Sequence, residues 1–493
     1  MNRNQLSLLF VVVVCILLSL QFCPRYDLMS DDKDVFRYAG MLMLKGGTPY
    51  QDMFDHKPPL IFFLNFGGLA MGSWGLWLLD LGLALVTTVA FLNLCRRMLL
   101  PFPWLLPLLF NLMIRDFLVL PGIGMTREYT CYFQVLFFCV MLSRRRGRYL
   151  LLGGLTALTF FMQQDQVLFL IPFIVYVLGT KAGSPGSGMT VSVVQRVVRM
   201  TAGFGVVVLL IAGYFAWHRS LGAFWEDAFQ FNFSVYTTKK QSLGTAFRTL
   251  KHKVDAGNFE VPVLIALVLG LWSLRLSHRR KGLVIAALAG VALSVCQEYM
   301  NVQAVNANFI YYIAPLSASV CCLLFTVVAF AEDPVLADWK AQLPLGLLLC
   351  ASLSYTALQH ATHLSRREED KTPIYSYLRQ HPPRDYQLYA FGNSDDIHVY
   401  NDLNILAPSK WIYHHFWKWY PRWDLDDSVL RSIGDDLLRH RTTYMIVDSI
   451  ELSRFVHPAG RDWWKAFTRT WYEPVTQPDS TGRMLWKLKN ISQ

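Results

Sequence analysis

The sequence predicts an all-α polytopic membrane protein with a small α/β domain at its C-terminal end. Composition is the first reason. Of 493 residues, 53% are hydrophobic and only 16% charged, with a mean hydropathy of +0.30, whereas a soluble globular protein carries nearer a quarter charged residues. Patterning is the second: apolar windows of roughly 20 residues, long enough to cross a bilayer, recur about eleven times before residue 360. The third is a change of character, because residues 360–493 read as an ordinary soluble sequence.

The windows fall at 5–23, 75–95, 101–119, 127–143, 149–163, 166–180, 200–217, 261–275, 282–297, 309–331 and 342–359. The first has the basic residue and apolar stretch of a signal peptide, but no small-residue cleavage site follows it and further spans do, so it reads as a span. Between the first two windows, residues 24–74 form a polar, acidic loop. Within it Val35, Phe36, Ala39 and Met43, and then the run 60–69, recur at helical spacing and predict helices lying along the membrane surface. Beyond the last window, 388–391 and 443–447 read as strands bounded by turns, with a helix over 428–440. Residues 181–188 form a flexible Gly/Ser linker.

Charge gives the orientation. Arg96-Arg97, Arg144 to Arg146 with Arg148, then Lys181, Arg196 and Arg199, and then Arg275, Arg279, Arg280 and Lys281 occupy one set of alternate loops. The opposite set holds 24–74, Pro121-Gly122, Gln163 to Asp165, 218–260 and 297–308. Cytoplasmic loops are rich in lysine and arginine, so the N-terminus is expected in the cytoplasm and the acidic loop and residues 360–493 outside. This accounts for much of the net charge of +11 without a nucleic-acid partner. The nine cysteines lie mostly in apolar windows and form no CxxC pair or disulfide framework. His414-His415 lacks metal-ligand spacing. No phosphate-binding glycine loop, nucleophile elbow or His-Glu-x-x-His is present, so no metal site and no cofactor are expected.

Candidate chemistry gathers in the first loop. Asp31, Asp32 and Asp34 open its first helix. A partly desolvated carboxylate there can take the proton of an attacking hydroxyl, although Ser30 or Asp31 can also cap the helix while the other acids complement its positive end. Lys57 precedes Pro58-Pro59, which fix the backbone as the chain turns into the next helix. Its ammonium can steady a phosphate leaving group, or snorkel to anionic headgroups. His56 is a second candidate for the phosphate, and Asp55 and Tyr50 are candidate substrate contacts.

Outside that loop, Glu128 in Thr126-Arg127-Glu128-Tyr129 is a second candidate carboxylate on the outer side, with an ion-pair network of Arg127, Arg115 and Asp116 as the alternative. Asp165 reads first as structural and second as a substrate contact. Asn232 and Tyr236, in the aromatic stretch 229–236, and Tyr311 and Tyr312 suit a sugar, but aromatic residues also collect at membrane interfaces.

Taken together, Asp32-Lys-Asp-Val-Phe36-Arg-Tyr38-Ala-Gly40, Gly47-Thr-Pro49-Tyr50-Gln-Asp52 and Phe54-Asp-His-Lys57-Pro58-Pro59-Leu60 resemble the first outer loop of bacterial GT-C glycosyltransferases. The pattern is nearest the protein O-mannosyltransferase-like and aminoarabinose (lipid A) transferase-like branch. The resemblance implies a GT-C catalytic domain over 1–359, with its outer catalytic loop at 24–74, and a periplasmic domain over 360–493, in the bacterial inner membrane. It implies transfer of a sugar, with inversion, from a polyprenyl-phosphate carrier to a glycan, lipid A or protein acceptor on the outer face. Carried over by position, Asp32 matches the catalytic aspartate, with Asp31 next in register. Lys57 matches the lysine that binds the carrier phosphate. Glu128 matches the second acid, and here Arg127 intervenes where relatives have a plain Thr-Glu. No metal ion is implied. A transporter or flippase for a lipid-linked sugar, or a non-catalytic membrane scaffold, is the competing reading; transporters show paired halves with charges near the midplane, and no matching second half is visible here.

Overall fold

The computed structural model describes residues 3–26, 31–115, 124–143, 145, 147–180, 191–236, 242–256, 259–275, 281–305, 310–330, 343–344, 346, 350–351, 372–391, 397–412, 414, 424, 427–448, 458–479 and 482–490. The body is helical: α1 (Arg3–Leu20), α2 (Asp31–Leu44), α3 (Leu60–Ala70), α4 (Gly75–Arg97), α5 (Leu105–Ile114), α6 (Thr126–Met141) and α7 (Arg148–Met162). A 3-10 turn, Gln164–Leu170, leads into α8 (Ile171–Gly179), followed by α9 (Val193–Trp217) and α10 (Leu221–Trp225). Two π-helical turns, Glu226–Gln230 and Asn232–Tyr236, precede α11 (Leu243–Ala256), α12 (Glu260–Arg275), α13 (Lys281–Val305) and α14 (Pro315–Phe330).

Each of the first ten predicted windows holds a helix, and α2 and α3 are the two helices expected in the first loop. The window 342–359 lies largely outside the described residues. About eleven transmembrane helices are expected from the sequence. Among the described residues, Gly75–Arg97, Val193–Trp217 and Lys281–Val302 are long and apolar enough to cross a membrane, with a fourth span if Leu243–Asp255 and Glu260–Arg275 make one bent passage. Six other apolar helices are 10–17 residues long. Polar residues shorten the regular helix: Gln163, extended in backbone, ends α7, and a 3-10 turn replaces the first turns of the next window.

Glycines set how closely these helices pack. A Cβ on Gly153 would sit 1.9 Å from the Met200 carbonyl oxygen, and one on Gly203 would sit 2.0 Å from that of Leu150, so α7 and α9 touch backbone to backbone, as small residues allow between membrane helices. A Cβ on Gly40 would lie 2.7 Å from the Asn65 backbone, which presses α2 onto α3. The Trp77 indole donates to the Ser19 carbonyl at 2.9 Å, tying α4 to α1.

The C-terminal region carries a four-stranded mixed sheet in the order β1 (Leu388–Phe391), β2 (Tyr444–Asp448), β4 (Arg483–Leu488), β3 (Tyr472–Pro474). β1 and β2 are parallel, and the remaining pairs antiparallel. The two predicted strands are β1 and β2, and the predicted helix is Ser428–Arg439. Because side chains alternate across a strand, the sheet divides two cores. Leu388, Ala390, Ile446 and Leu485 join the hydrophobic core of the helical body. Tyr389, Phe391, Met445 and Val447 pack with Leu430, Ile433 and Trp464, from the helices Ser428–Arg439 and Pro458–Trp471.

The same region is fastened to α2 and the loop after it. The Lys45 ammonium reaches the Asp385 carboxylate at 2.7 Å and the Asn404 carbonyl at 2.6 Å. The Ala407 amide donates to the Tyr38 hydroxyl at 2.9 Å, and the Phe54 amide to the Lys410 carbonyl at 2.8 Å.

Candidate functional site

The segment from Tyr50 to Lys57 is wound tightly by its own side chains. Tyr50 has φ 69°, a left-handed conformation uncommon for a bulky residue. Its ring is held by edge and tilted contacts with Phe62, Phe215 and Phe224, and its hydroxyl donates to the Lys57 carbonyl at 2.6 Å. The Asp55 carboxylate accepts the Lys57 amide at 3.0 Å, a local turn of the kind aspartate favours. From the π-helical stretch, the Asn232 amide donates to the His56 carbonyl at 2.7 Å and to the Ala228 carbonyl at 2.8 Å. Tyr50, Asp55 and Asn232, expected as substrate contacts, thus each also shape the backbone that presents Lys57.

Lys57 is buried, and among the described residues its ammonium makes no hydrogen bond or ion pair. Burial works against its charge, but Tyr312, Asp32 and Asp55 more than offset that and hold its pKa above the ordinary lysine value. The neighbouring His56 is pushed the other way, by burial and by Lys57 against the pull of Asp55 and Asp32. At neutral pH it therefore offers a hydrogen bond rather than a charge.

The first turn of α2 separates its acids, because residues two apart lie on opposite sides of a helix. Asp32 acts on Lys57 and His56. Asp34 faces the C-terminal region, where the Asn401 amide donates to its carbonyl at 2.9 Å, and burial raises its pKa despite Lys33, His398 and Arg37. The Asp31 side chain lies outside the described residues, as do those of Tyr236 and Tyr311.

A second cation stands close by. Lys253 is fully buried, its ammonium has no hydrogen-bond partner among the described residues, and it lies 4.9 Å from the centre of the Tyr312 ring. The Arg127 guanidinium lies 3.8 Å from the same ring. It bonds the Tyr312 carbonyl at 2.8 Å and pairs with Glu298. Tyr312 thus links the Lys57 loop to two further cations, an arrangement that suits a multiply charged anion such as a phosphate.

Glu128 belongs elsewhere. It is fully buried, accepts the Tyr132 hydroxyl at 3.0 Å and lies 3.7 Å from Arg115, which pairs with Asp80 at 2.8 Å. This is the ion-pair alternative, with Asp80 in the role expected of Asp116, which lies outside the described residues. Asp165 accepts Gln297 at 2.7 Å and Asn301 at 2.9 Å and lies 3.8 Å from Arg127. Asp32, His56, Lys57 and Tyr312 are brought together, while Glu128 is bonded to Tyr132 beside Arg115. Sequence reasoning missed Lys253, Glu298 and Asp80. Asp80 carried a signal, a lone acid inside an apolar window; Lys253 carried none. Among the described residues no group of three or more His, Cys, Asp or Glu could hold a metal ion.

No protein-family model matches the chain, and no curated protein matches it. Solved structures do. The crystal structure of ArnT from Cupriavidus metallidurans bound to undecaprenyl phosphate superposes with a TM-score of 0.57 at 10% sequence identity, covering 99% of this chain and 99% of that one. ArnT from the same organism in the apo state gives 0.54 at 12% identity, covering 98% of each chain. Identities this low show the fold, and the fold is ArnT-like.

Proposed function

We propose, from an ArnT-like fold with a buried lysine at its outer loop, that the protein is an inverting glycosyltransferase. It moves a sugar from a polyprenyl-phosphate-linked donor to a glycan, lipid A or protein acceptor at the outer face of the bacterial inner membrane. In this reading residues 1–359 are the membrane-embedded catalytic part, with the N-terminus in the cytoplasm, and residues 360–493 are periplasmic. The short apolar helices complete the membrane domain as partial spans.

The observation that carries the proposal is Lys57, a charged, buried ammonium with no hydrogen bond or ion pair among the described residues, in electrostatic reach of Asp32. Burying such a group is costly unless a partner arrives, and the phosphate of the carrier is that partner. That ArnT was crystallised with undecaprenyl phosphate supports the choice of ligand. Lys57, aided by Lys253 across Tyr312, stabilises the phosphate as its bond to the anomeric carbon breaks. Asp32 accepts the proton of the acceptor hydroxyl as that oxygen attacks from the opposite face. The carrier leaves as free polyprenyl phosphate.

The test is release of polyprenyl phosphate by purified protein given a lipid-linked donor and an acceptor. Asp32→Asn is expected to lower turnover by roughly 10² to 10⁴, with Lys57→Ala also weakening retention of the carrier lipid. Near-normal transfer by either folded variant would sink the mechanism.

A further inference from the structure

The last turn of α4 divides two adjacent arginines. Arg96 turns toward α1, where it bonds the Asn4 carbonyl and, at 2.9 Å, the Ser7 hydroxyl. Arg97 remains exposed at the mouth of a separate groove of about 530 Å³ between α4 and α6. Val86, Ala90, Cys139 and Val140 form part of its apolar wall. Its mouth carries Arg97 and Arg145 together with Asn93 and Ser143, and among the described residues no acidic one lines it. Both α4 and α6 start beside the candidate site and run away from it. The mouth, at Ser143, therefore lies about 20 Å of helix beyond Glu128 at 1.5 Å per residue. This groove is distinct from the Lys57 site.

We propose that the groove holds one acyl chain of an anionic membrane phospholipid, with the headgroup phosphate between Arg97 and Arg145. Three features fit this occupant. The α4 wall from Leu85 to Leu94 is about 14 Å long, close to the depth of one leaflet of a hydrocarbon core about 30 Å thick. The apolar surface ends in two guanidinium groups, whose planar forks match phosphate oxygens. The mouth lies at the end where the basic loops gather, which the charge pattern assigns to the cytoplasm, where the membrane surface is itself anionic. The inference needs the chain to sit in a membrane but does not need it to be a transferase, so failure of one leaves the other standing.

Native mass spectrometry of the full-length protein in detergent tests it, with phosphatidylglycerol, phosphatidylcholine of the same chains and undecaprenyl phosphate as separate probes. The protein is expected to retain phosphatidylglycerol about tenfold over phosphatidylcholine, and Arg97→Gln/Arg145→Gln is expected to erase that preference. Equal retention of the two phospholipids, or an unchanged preference in the double variant, overturns the proposal. So does displacement of phosphatidylglycerol by undecaprenyl phosphate at equal concentration. Photo-crosslinking of the unmodified sequence, with a phosphatidylglycerol carrying a reactive group in its acyl chain, should label residues 85–94 and 136–140. Labelling confined to other helices overturns the site without relying on a variant.

Discussion

Arg127 shows how much a single buried charge is asked to do. Its side chain is 2% exposed and pairs with Glu298, which is 1% exposed, while also supporting the Tyr312 carbonyl. Removing one partner of a buried pair leaves the other charge uncompensated, so Arg127→Ala is expected to cost about 3–5 kcal/mol, whereas replacing both partners by apolar residues of similar volume costs far less. Thermal unfolding in detergent should rank Arg127→Ala well below Arg127→Met/Glu298→Leu; equal losses would show that the pair is not the cause. This pairing could not be read in advance, because Arg127 and Glu298 are 171 positions apart and nothing local in either window names the other. Asp32 and Lys57 were legible for the opposite reason. They sit in one polar loop between apolar windows, where charge is conspicuous and the prolines mark the turn.

The joint between α7 and α9 rests on Gly153 and Gly203, where a Cβ would fall 1.9–2.0 Å from a facing carbonyl oxygen. Gly203→Val should therefore force the helices apart at a cost of about 1–3 kcal/mol or more, read as a lower melting temperature. Gly205, with nothing within 4 Å of its Cβ position, is the control, and a Gly205→Ala variant should melt close to the unaltered protein. Helices and their order were legible because apolar windows mark them, and α2 and α3 because Val35, Phe36, Ala39 and Met43, and then the run 60–69, repeat at helical spacing. β1 is an apolar string and β2 one that ends in Asp448, both buried at every position. β3 and β4 were not legible: one has three residues, and the other, Arg483–Leu488, mixes charged and apolar side chains that are mostly half-buried. Hydropathy does not register where a 3-10 turn or an extended residue interrupts a helix, as it does from Gln163 to Leu170.

The C-terminal region is fastened both to the first loop and to the π-helical stretch after α10. Asp227 on the π-helical stretch sits 4.0 Å from Lys410, and burial, with Glu226 and Asp55, raises its pKa from 3.8 to about 7 against the pull of Lys410. A carboxyl whose folded pKa is raised binds its proton more tightly when folded. Its contribution is therefore present at low pH and lost as pH rises through about 7. The melting temperature should fall across pH 4 to 7 more steeply in the unaltered protein than in Asp227→Asn, and identical slopes would count against it. The joint also sets the order in which the chain can finish folding. Tyr38 and its partner Ala407 are separated by 369 residues, and at 5–20 residues per second the ribosome needs roughly 20 to 75 s to bridge that gap. For that interval the face of α2 that bears Tyr38 waits without its cover, so completion of the loop that follows it is timed by chain synthesised 369 residues later.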